Sequence, residues 1–573
     1  AIQNVTQRRA DRAEAFEEFR AWQARYRTAA GRAGLEAEGI ALAQARRAAM
    51  ARWIESDPEF ALAQAVGPDA RRELPAAVLA ELERWVEGRG GLEVLSQFGP
   101  AVKPGEQTTR VVRVNGEKFQ AFVYGRRLGQ TTKYDLPIRG VAVDGKLALH
   151  SSPVRQLEPG EVQQRGLDPQ AIHINSGGEV AFAAHSQAVQ AIETKLLQRE
   201  AVRGPYPAGK MAAGRVPAGL PPGTAAFPPS PIWTIGGKRL LVIRVDFPDD
   251  PGGPFVAPSG ATITTNMIGS VMTSVNQFIV DNSQNLTSIE TSMVPVVLRL
   301  PRTKAAYASS PADLLRDEAL EAAVAYDLAN GNTGLSNPAL YDFDTVVCSQ
   351  IDGAAWQFEG QALVGAKGMW ANGKFEFRVL ARELGHNYGL QSANRLDAAG
   401  SDPLTGTPVE LGDQYDVMGA NTGGQPLHFN EWFKAYLGWI NFYNALGNST
   451  VRLFRHDHPS ASGTRAITLG QQGDRAYWLG YRRQHATNSF LNNGLEIRWG
   501  MQPATVNTNT GLLEMGITND MSSAGSVLIN TTPAVADFSQ HPLPLNQTFY
   551  DSNNFVSITP VAMGGTAPAE FMD

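Results

Sequence analysis

At 573 residues the chain is too long for one hydrophobic core and should contain roughly three or four domains. Apolar residues make up 43% of the chain and charged residues 18%, as in ordinary globular proteins. A net charge of −6 gives no basic footprint for nucleic acid, and no apolar run is long enough for a transmembrane helix.

The first 95 residues should be helical. "RAEAFEEFRAWQARYR" carries an aromatic stripe at helical spacing. The stripe consists of Phe16, Phe19, Trp22 and Tyr26. "ALAQARRAAMARWIESDPEFALAQAV" predicts two helices broken at Asp57-Pro58, and "AAVLAELERWVEG" predicts a fourth. The stripe is expected to be core packing and is assigned no chemistry.

From residue 96 the pattern changes to strands. Hairpins are expected around Asn115-Gly116 and Asp144-Gly145, so residues 96–202 should form a small β-rich domain, similar to a pro-region. Residues 203–232 are crowded with proline and glycine and predict an extended linker.

After the linker, strands and helices alternate. "KRLLVIRVDFPDD" reads as a buried strand, "SPADLLRDEALEAAVAYDLAN" as a helix and "YDFDTVVCS" as another strand, within a domain expected over 233–445. Strands prevail again over 446–573, which predicts a C-terminal β-sandwich-like domain. The fold class is therefore expected to be α+β and multidomain.

The lone cysteine, Cys348, lies in the apolar stretch "FDTVVCSQ". A buried strand thiol is expected, because a free cysteine packs like a small apolar residue. No disulfide can form within the chain, which does not decide the compartment, since many exported bacterial proteins also lack disulfides. A start at Ala1 without an apolar leader fits a mature N-terminus after signal-peptide removal, or one trimmed in another way.

One stretch has the pattern of a metalloprotease zinc-binding helix with two histidines missing. It is "FRVLARELGHNYGLQSAN", residues 377–394, and it is followed by "GDQYDVMGAN" and "LHFNEWFKAYLGWI". With these stretches, the chain from about Lys238 onward resembles the gametolysin-like family of metzincin metallopeptidases and its bacterial secreted relatives. The family pattern H-E-L-G-H-N-x-G-L-x-H-A-N falls on residues 382–394.

The resemblance implies a metzincin-like α/β core and a set of site residues. Glu383 occupies the position of the general base, His386 that of the second zinc ligand, and Gly389 that of the turn out of the helix. Met418 falls where the family has its tight methionine turn beneath the metal.

Two of the three zinc-ligand positions depart from the family pattern, because Arg382 stands at the first and Ser392 at the third. A guanidinium does not lose its proton in proteins and offers no lone pair to zinc. A neutral serine hydroxyl is a poor zinc ligand. No cofactor is therefore expected, and Glu383 and His386 would be vestigial.

Other histidines could in principle rescue a metal site. His428 lies after the methionine turn, where the family often has a histidine that does not bind zinc. His456 and His458 form an H-x-H pair in "FRHDHPS", which we expect to be a surface pair, because a metal site needs further convergent ligands.

Arg382 and His386 are four residues apart and share a helix face. Our hypothesis is that the Arg382 guanidinium replaces part of the lost metal charge and pairs with Glu383 or another acid. The alternative is an arginine that reaches out to solvent.

The expected function is that of a secreted or cell-surface pseudoprotease, retained for extracellular binding or assembly. Its former active-site cleft could bind a protein or peptide segment by strand addition, from a partner, from another copy or from the chain's own linker. The alternatives are an active metallopeptidase with an unusual ligand set and a structural subunit of an extracellular assembly.

Overall fold

The computed structural model describes most of the chain and shows a mixed α+β protein with several sheets. The described residues are 14–29, 32–103, 107–201, 232–331, 333–398, 402–419, 427–472, 475–484, 488–501, 505–507, 512–514, 526–532 and 540–573. The linker expected at 203–232 lies outside them, except for its last residue. Two compact units are present: the first runs to Val94 and resumes at Thr109, and the second takes Leu95–Thr108 and all described residues from 232 onward.

The first unit begins with short and medium helices. They are α1 (Glu14–Thr28), α2 (Glu36–Ser56), α3 (Pro58–Gln64), α4 (Pro68–Arg71) and α5 (Ala76–Glu81). The aromatic stripe of α1 is buried, as expected for core packing. The break at Asp57-Pro58 is confirmed, because the Asp57 carboxylate caps α3 by accepting from the Phe60 N–H. The fourth expected helix ends early, since "RWVEG" starts a strand in which alternate residues are buried.

The remaining elements of the first unit are mostly strands. They are β1 (Arg84–Phe98), β2 (Thr108–Val114), β3 (Glu117–Phe122), β4 (Lys133–Val143), β5 (Lys146–Leu149), β6 (Arg155–Gln156), β7 (Ile172–Ser176) and β8 (Glu179–Ala183), with helices α6 (Pro159–Gln164) and α7 (Ser186–Ala201). Strands β1, β2, β3, β5 and β4 pair in that order, and β4 pairs back with β1. Both expected hairpins are confirmed: Asn115-Gly116 joins β2 to β3 and Asp144-Gly145 joins β4 to β5, with positive φ at all four residues.

The second unit contains a mainly parallel sheet with helices. Its elements are β9 (Gly236–Asp246), β10 (Phe255–Val256), β11 (Ala261–Thr262), α8 (Thr265–Ser283), β12 (Thr287–Met293), β13 (Leu298–Arg299), α9 (Lys304–Ala308), α10 (Ala312–Ala329), β14 (Phe343–Cys348), β15 (Gly360–Leu363), β16 (Met369–Asn372) and α11 (Phe377–Tyr388). The strand order is β12-β9-β14-β16-β15. Strands β12, β9, β14 and β16 run parallel to one another, whereas β15 is antiparallel to β16. The outer edge of β15 pairs antiparallel with the last four residues of β1.

Both faces of this sheet are buried, which explains why residues 240–243 of β9, "LLVI", are apolar without alternation. Leu240 and Val242 of β9 pack in the core that includes α8 and α11, while Leu241 and Ile243 pack in the core that includes α10. Cys348 is buried on β14, as expected, and burial raises the pKa of its thiol to about 12. The sheet therefore provides a rigid base on which α11 rests.

The described chain from Asn394 onward contains a second large sheet of this unit, together with short strands that lie outside it. The elements are β17 (Asn394–Ala398), β18 (Gly406–Val409), α12 (Glu431–Tyr436), β19 (Tyr443–Asn444), β20 (Leu453–Phe454), β21 (Ile467–Gln472), β22 (Arg475–Gly480), α13 (Ser489–Asn493), β23 (Gly494–Met501), β24 (Thr505–Asn507), β25 (Leu512–Glu514), β26 (Val527–Ile529), β27 (Leu543–Pro544), β28 (Phe549–Asp551), β29 (Val556–Ile558), β30 (Met563–Gly564) and β31 (Phe571–Met572). The order is β18-β17-β26-β23-β22-β21-β19, with β27 also on β23. Because β17, β18 and β19 precede residue 446, this sheet crosses the boundary expected at 445.

Across the described residues, no helix combines the length and the apolar character needed to span a membrane.

Candidate functional site

The candidate site is built on α11, whose C-terminus is defined by a glycine. Gly389 has a φ of 109°, a left-handed conformation that residues with a side chain adopt rarely, and its N–H turns back to the carbonyls of Gly385 and His386. The next residues can therefore fold back beside the helix. This is the sharp exit that the sequence predicts at this position.

The helix is fixed on the sheet by its last turn. The Asn387 amide donates to the carbonyls of Leu363 and Gly368, at 3.0 and 3.1 Å, and both of those residues flank the β15–β16 turn. The Gly365 N–H donates to the His386 carbonyl at 2.8 Å. These bonds satisfy groups that a helix end otherwise leaves unpaired, and they hold the site face of α11 at a set distance from β15.

The two substituted ligand positions contact each other. The Arg382 Nη2 donates to the Ser392 hydroxyl at 3.3 Å, and the Arg382 Nη1 donates to the Met418 carbonyl. The Arg382 guanidinium also lies over the Phe98 ring, with its carbon 5.0 Å from the ring centroid. The structure thus brings Arg382, Ser392 and Met418 together, around a buried cation rather than around an imidazole cluster.

Arg382 is fully buried, so the solvent-exposed alternative is wrong. Burial is the main reason that the pKa of Arg382 falls to about 10, and the neighbouring charge of Glu383 opposes that fall. The guanidinium remains protonated at neutral pH. Its hydrogen-bond acceptors are a hydroxyl and a carbonyl, and no hydrogen bond to Glu383 is found among the described residues.

Glu383 is buried without a hydrogen bond. Within the described part of the chain neither carboxyl oxygen has a hydrogen-bond partner. Burial raises the pKa of Glu383 to about 8, although the charge of Arg382 lowers it in part. At neutral pH the side chain is therefore mostly a neutral carboxylic acid, which cannot accept a proton as a general base must.

Glu383 lies against the start of strand β15. A Cβ added to Gly360 would lie 2.8 Å from the Glu383 Oε1 and 2.6 Å from the Val379 Cγ1. Only glycine therefore fits at the start of β15 without moving α11 or its side chains.

His386 keeps one property of a metal ligand. Its Nδ1 pairs with the Leu390 carbonyl at 2.8 Å, which assigns the proton to Nδ1 and leaves the Nε2 lone pair free. The Nε2 has no hydrogen-bond partner in the described ranges. Burial and the neighbouring Arg382 charge lower the pKa of His386 well below its usual value, so the ring is neutral.

The residues present do not fit the zinc ion that the family resemblance implies. Of the three positions, only His386 offers an imidazole nitrogen without a hydrogen-bond partner in the described residues, whereas zinc sites in proteins need at least three protein ligands. The Arg382 cation shares the helix face of that nitrogen and would repel a divalent ion. We therefore assign no zinc-dependent step to these residues.

The segment around Met418 is held by two buried aspartates. Asp416 accepts hydrogen bonds from the Met418 and Asn430 N–H groups, each at 2.7 Å, and Asp413 accepts from the Tyr415 N–H at 2.8 Å. Burial, reinforced by Asp413, raises the pKa of Asp416 to about 7. Met418 is fully buried, and residues 420 and 421, the last two of the stretch "GDQYDVMGAN", lie outside the described residues.

Met418 packs against the middle of α11. A Cβ on Gly385 would come within 2.6 Å of its sulfur. The glycine therefore lets the methionine lie directly on the helix, one turn from Arg382. Met418 is thus a buried packing residue against α11.

A second buried cluster escaped the sequence analysis. Glu431, His456 and Glu496 each offer one ligand atom, and these atoms lie within 4.8 Å of one another. All three side chains are buried, so the expectation that His456 belongs to a surface pair is wrong. The sequence clue was the alternation in "GLEIRWG", which places Glu496 and Arg498 on the same face of an otherwise apolar strand.

Two arginines already occupy the carboxylates of this cluster. Arg482 binds Glu496 through two hydrogen bonds, of 2.6 and 2.8 Å. Arg498 donates to Glu431 at 2.8 Å and to Glu496 at 2.7 Å. Burial lowers the pKa of His456 to about 3, so its contacts of 3.8 and 3.9 Å with the carboxylates are not ion pairs. A metal ion here would face two guanidiniums, and we regard the cluster as an internal ion network.

His428 takes part in the same region through Lys434. The His428 Nδ1 and the Lys434 ammonium are 3.0 Å apart, and the ammonium also donates to the His456 carbonyl at 2.8 Å. Burial lowers the pKa of Lys434 to about 7. His428 therefore serves as a hydrogen-bond partner of Lys434.

No protein-family model matches the chain, and no curated protein resembles it closely enough to count as a relative.

Proposed function

We propose that the protein is a catalytically inactive, metzincin-like pseudoprotease whose former active-site cleft binds an extended protein segment. The observation that carries this proposal is the Arg382 guanidinium, buried at the first ligand position and bonded to Ser392 at the third. A fixed cation in that place excludes a second one, because the interior offers no solvent to screen their repulsion.

The state of Glu383 also supports loss of catalysis. Hydrolysis of a peptide bond needs a base that is ionised at working pH and a water molecule activated beside it. A buried carboxyl with a pKa near 8 and no hydrogen-bond partner in the described residues has neither requirement in place. The ion network of Arg482 and Arg498 lies elsewhere in the chain and provides no nucleophile.

A binding role is supported by the edge of the sheet. Strand β15 runs antiparallel to its neighbour β16, and its other edge accepts a further strand from residues 95–98. Strand addition at such an edge is a common mode of peptide recognition, because backbone hydrogen bonds supply affinity whatever the sequence. Secretion or display at the cell surface is part of the proposal and rests on the family resemblance.

The proposal is tested by a cleavage assay on the purified full chain. The protein is incubated with added zinc and an unfolded protein substrate, beside a Glu383→Ala variant as the matched control. The expected result is equal, background-level cleavage for both chains. Cleavage by the parent chain that the Glu383→Ala variant lacks would show an active metallopeptidase and would overturn the proposal.

A further inference from the structure

The outer edge of β15 is covered by the chain's own residues. Leu95 pairs with Leu363, Ser96 with Ala362, Gln97 with Gln361 and Phe98 with Gly360. The pairing continues beyond β15, because the Glu359 N–H donates to the Phe98 carbonyl at 2.8 Å. We call residues 95–98 the resident strand.

The resident strand places the Phe98 side chain over helix α11. The Phe98 ring contacts two arginines of α11, with the Arg378 and Arg382 guanidinium carbons 4.9 and 5.0 Å from its centroid. Phe98 pairs with Gly360, the residue whose missing side chain lets β15 approach Glu383. The ring therefore covers the same part of α11 that holds the substituted zinc-ligand position.

The chain on either side of Phe98 is fitted to the same edge. Ser96 is buried, and Leu95 and Val102 pack at the margin of the apolar core that includes Trp356. After Phe98 the chain turns, since the Val102 N–H donates to the Gly99 carbonyl at 3.1 Å. Gly99 is required at this turn because an added Cβ would lie 2.8 Å from the Glu359 nitrogen.

We propose that the resident strand is the ligand of the former active-site cleft: an internal peptide, anchored by the contacts of Phe98 with Arg378 and Arg382, that blocks the β15 edge against other chains. This inference rests on the proposed function and names the segment that the cleft binds. The chemical class of the ligand is an extended peptide with an aromatic side chain at the position opposite Gly360. Backbone pairing gives general affinity, and the interaction of the ring with two cations gives specificity.

An attached strand competes at a high effective concentration, on the order of millimolar for a short tether. Free peptide should therefore bind the parent chain poorly, and weakening the anchor should open the edge. The test uses a fluorescent peptide, LSQFGPAVK, which copies residues 95–103, and a second peptide with alanine in place of phenylalanine. Binding is measured by anisotropy on the full chain, for the parent and for Phe98→Ala.

We expect Phe98→Ala to bind the phenylalanine peptide at least ten times more tightly than the parent chain does. It should also bind the alanine peptide at least ten times more weakly than the phenylalanine peptide. Phe182→Ala, which removes a phenylalanine exposed in the first unit, is the matched control and should behave like the parent. Equal binding of both peptides, or no binding to Phe98→Ala, would overturn the proposal.

A second variant, Gly99→Val, is designed to displace the resident strand and leaves Arg378 and Arg382 unchanged. Gly99→Val forces a side chain against Glu359 and should lift the strand from β15. Amides of residues 360–363 should then exchange with solvent at least ten times faster, while those of β16 remain protected. Unchanged exchange on β15 would contradict the proposal. Cleavage activity is a separate readout, so an active enzyme that still binds the peptide would refute only the proposed function.

Discussion

Replacing Arg382 by alanine removes the group on which the proposed inactivity depends, and we expect it to destabilise the second unit. The guanidinium makes two hydrogen bonds and one contact with an aromatic ring. Charged hydrogen bonds contribute about 1.5–3 kcal/mol each, and a desolvated cation–π contact about 2 kcal/mol. These terms together favour the folded state by roughly 5–8 kcal/mol.

Burying the charge opposes these contacts. The pKa of Arg382 falls from 12.5 to about 10, and at 1.36 kcal/mol per pH unit this fall corresponds to roughly 3 kcal/mol of destabilisation. The difference between the two contributions predicts that Arg382→Ala lowers the free energy of unfolding by about 2–5 kcal/mol. Arg382→Met keeps most of the volume and removes the buried charge, so its cost should be below about 1.5 kcal/mol.

The assay is urea unfolding, combined with hydrogen exchange of the α11 amides, because exchange reports on the unit that contains the site. Arg378→Ala is the matched control, since Arg378 contacts the same Phe98 ring but is only partly buried, and it should cost less than about 1 kcal/mol. If Arg382→Ala left the free energy of unfolding unchanged, or lowered it no more than Arg378→Ala, the stabilising role of the buried Arg382 contacts would be refuted.

Three further predictions concern other buried groups. The folded chain keeps the Glu383 proton up to about pH 8, whereas the unfolded chain releases it near 4.5, so this group makes stability fall as pH rises between those values. Glu383→Gln should remove that decline and gain at most about 5 kcal/mol over the parent at pH 8, and parallel pH profiles of the two chains in urea unfolding would contradict this. Glu496→Gln should lower the free energy of unfolding by about 3–5 kcal/mol because it leaves Arg482 and Arg498 short of a buried counter-charge, and a loss below 1 kcal/mol in the same assay would refute the ion network. The Cys348 thiol, with its pKa raised to about 12, should react with a thiol reagent at pH 8 only after unfolding, and rapid reaction of the native chain would show that it is not buried.

The local features of the site could be predicted from the sequence. Helix α11 and its end at Gly389 were expected from the resemblance to the metzincin zinc-binding helix, and the structure has both, with Gly389 at positive φ. The two hairpins follow from Asn-Gly and Asp-Gly pairs, whose residues adopt positive φ. Such features are encoded by neighbouring residues, so a single sequence is enough to find them.

Contacts between distant parts of the chain could not be predicted in this way. The covering of β15 by residues 95–98 depends on a strand pairing that no local pattern specifies, and the sequence instead suggested the linker as an internal ligand. The burial of His456 could not be predicted because a short polar segment, "FRHDHPS", resembles a loop until the neighbouring carboxylates on α12 and β23 are known. The contact between Arg382 and Ser392 was not predicted, because each residue was compared with the zinc ligand expected at its position and not with the other residue.

The zinc content of the chain tests the proposed loss of catalysis most directly. Elemental analysis of the untagged protein, purified without chelator and dialysed, gives the zinc content per chain, with Arg382→His/Ser392→His as the matched variant that restores three imidazoles. We expect no stoichiometric zinc in the parent chain and about one zinc ion per chain in the variant. One zinc per parent chain, lost in His386→Ala, would contradict this expectation.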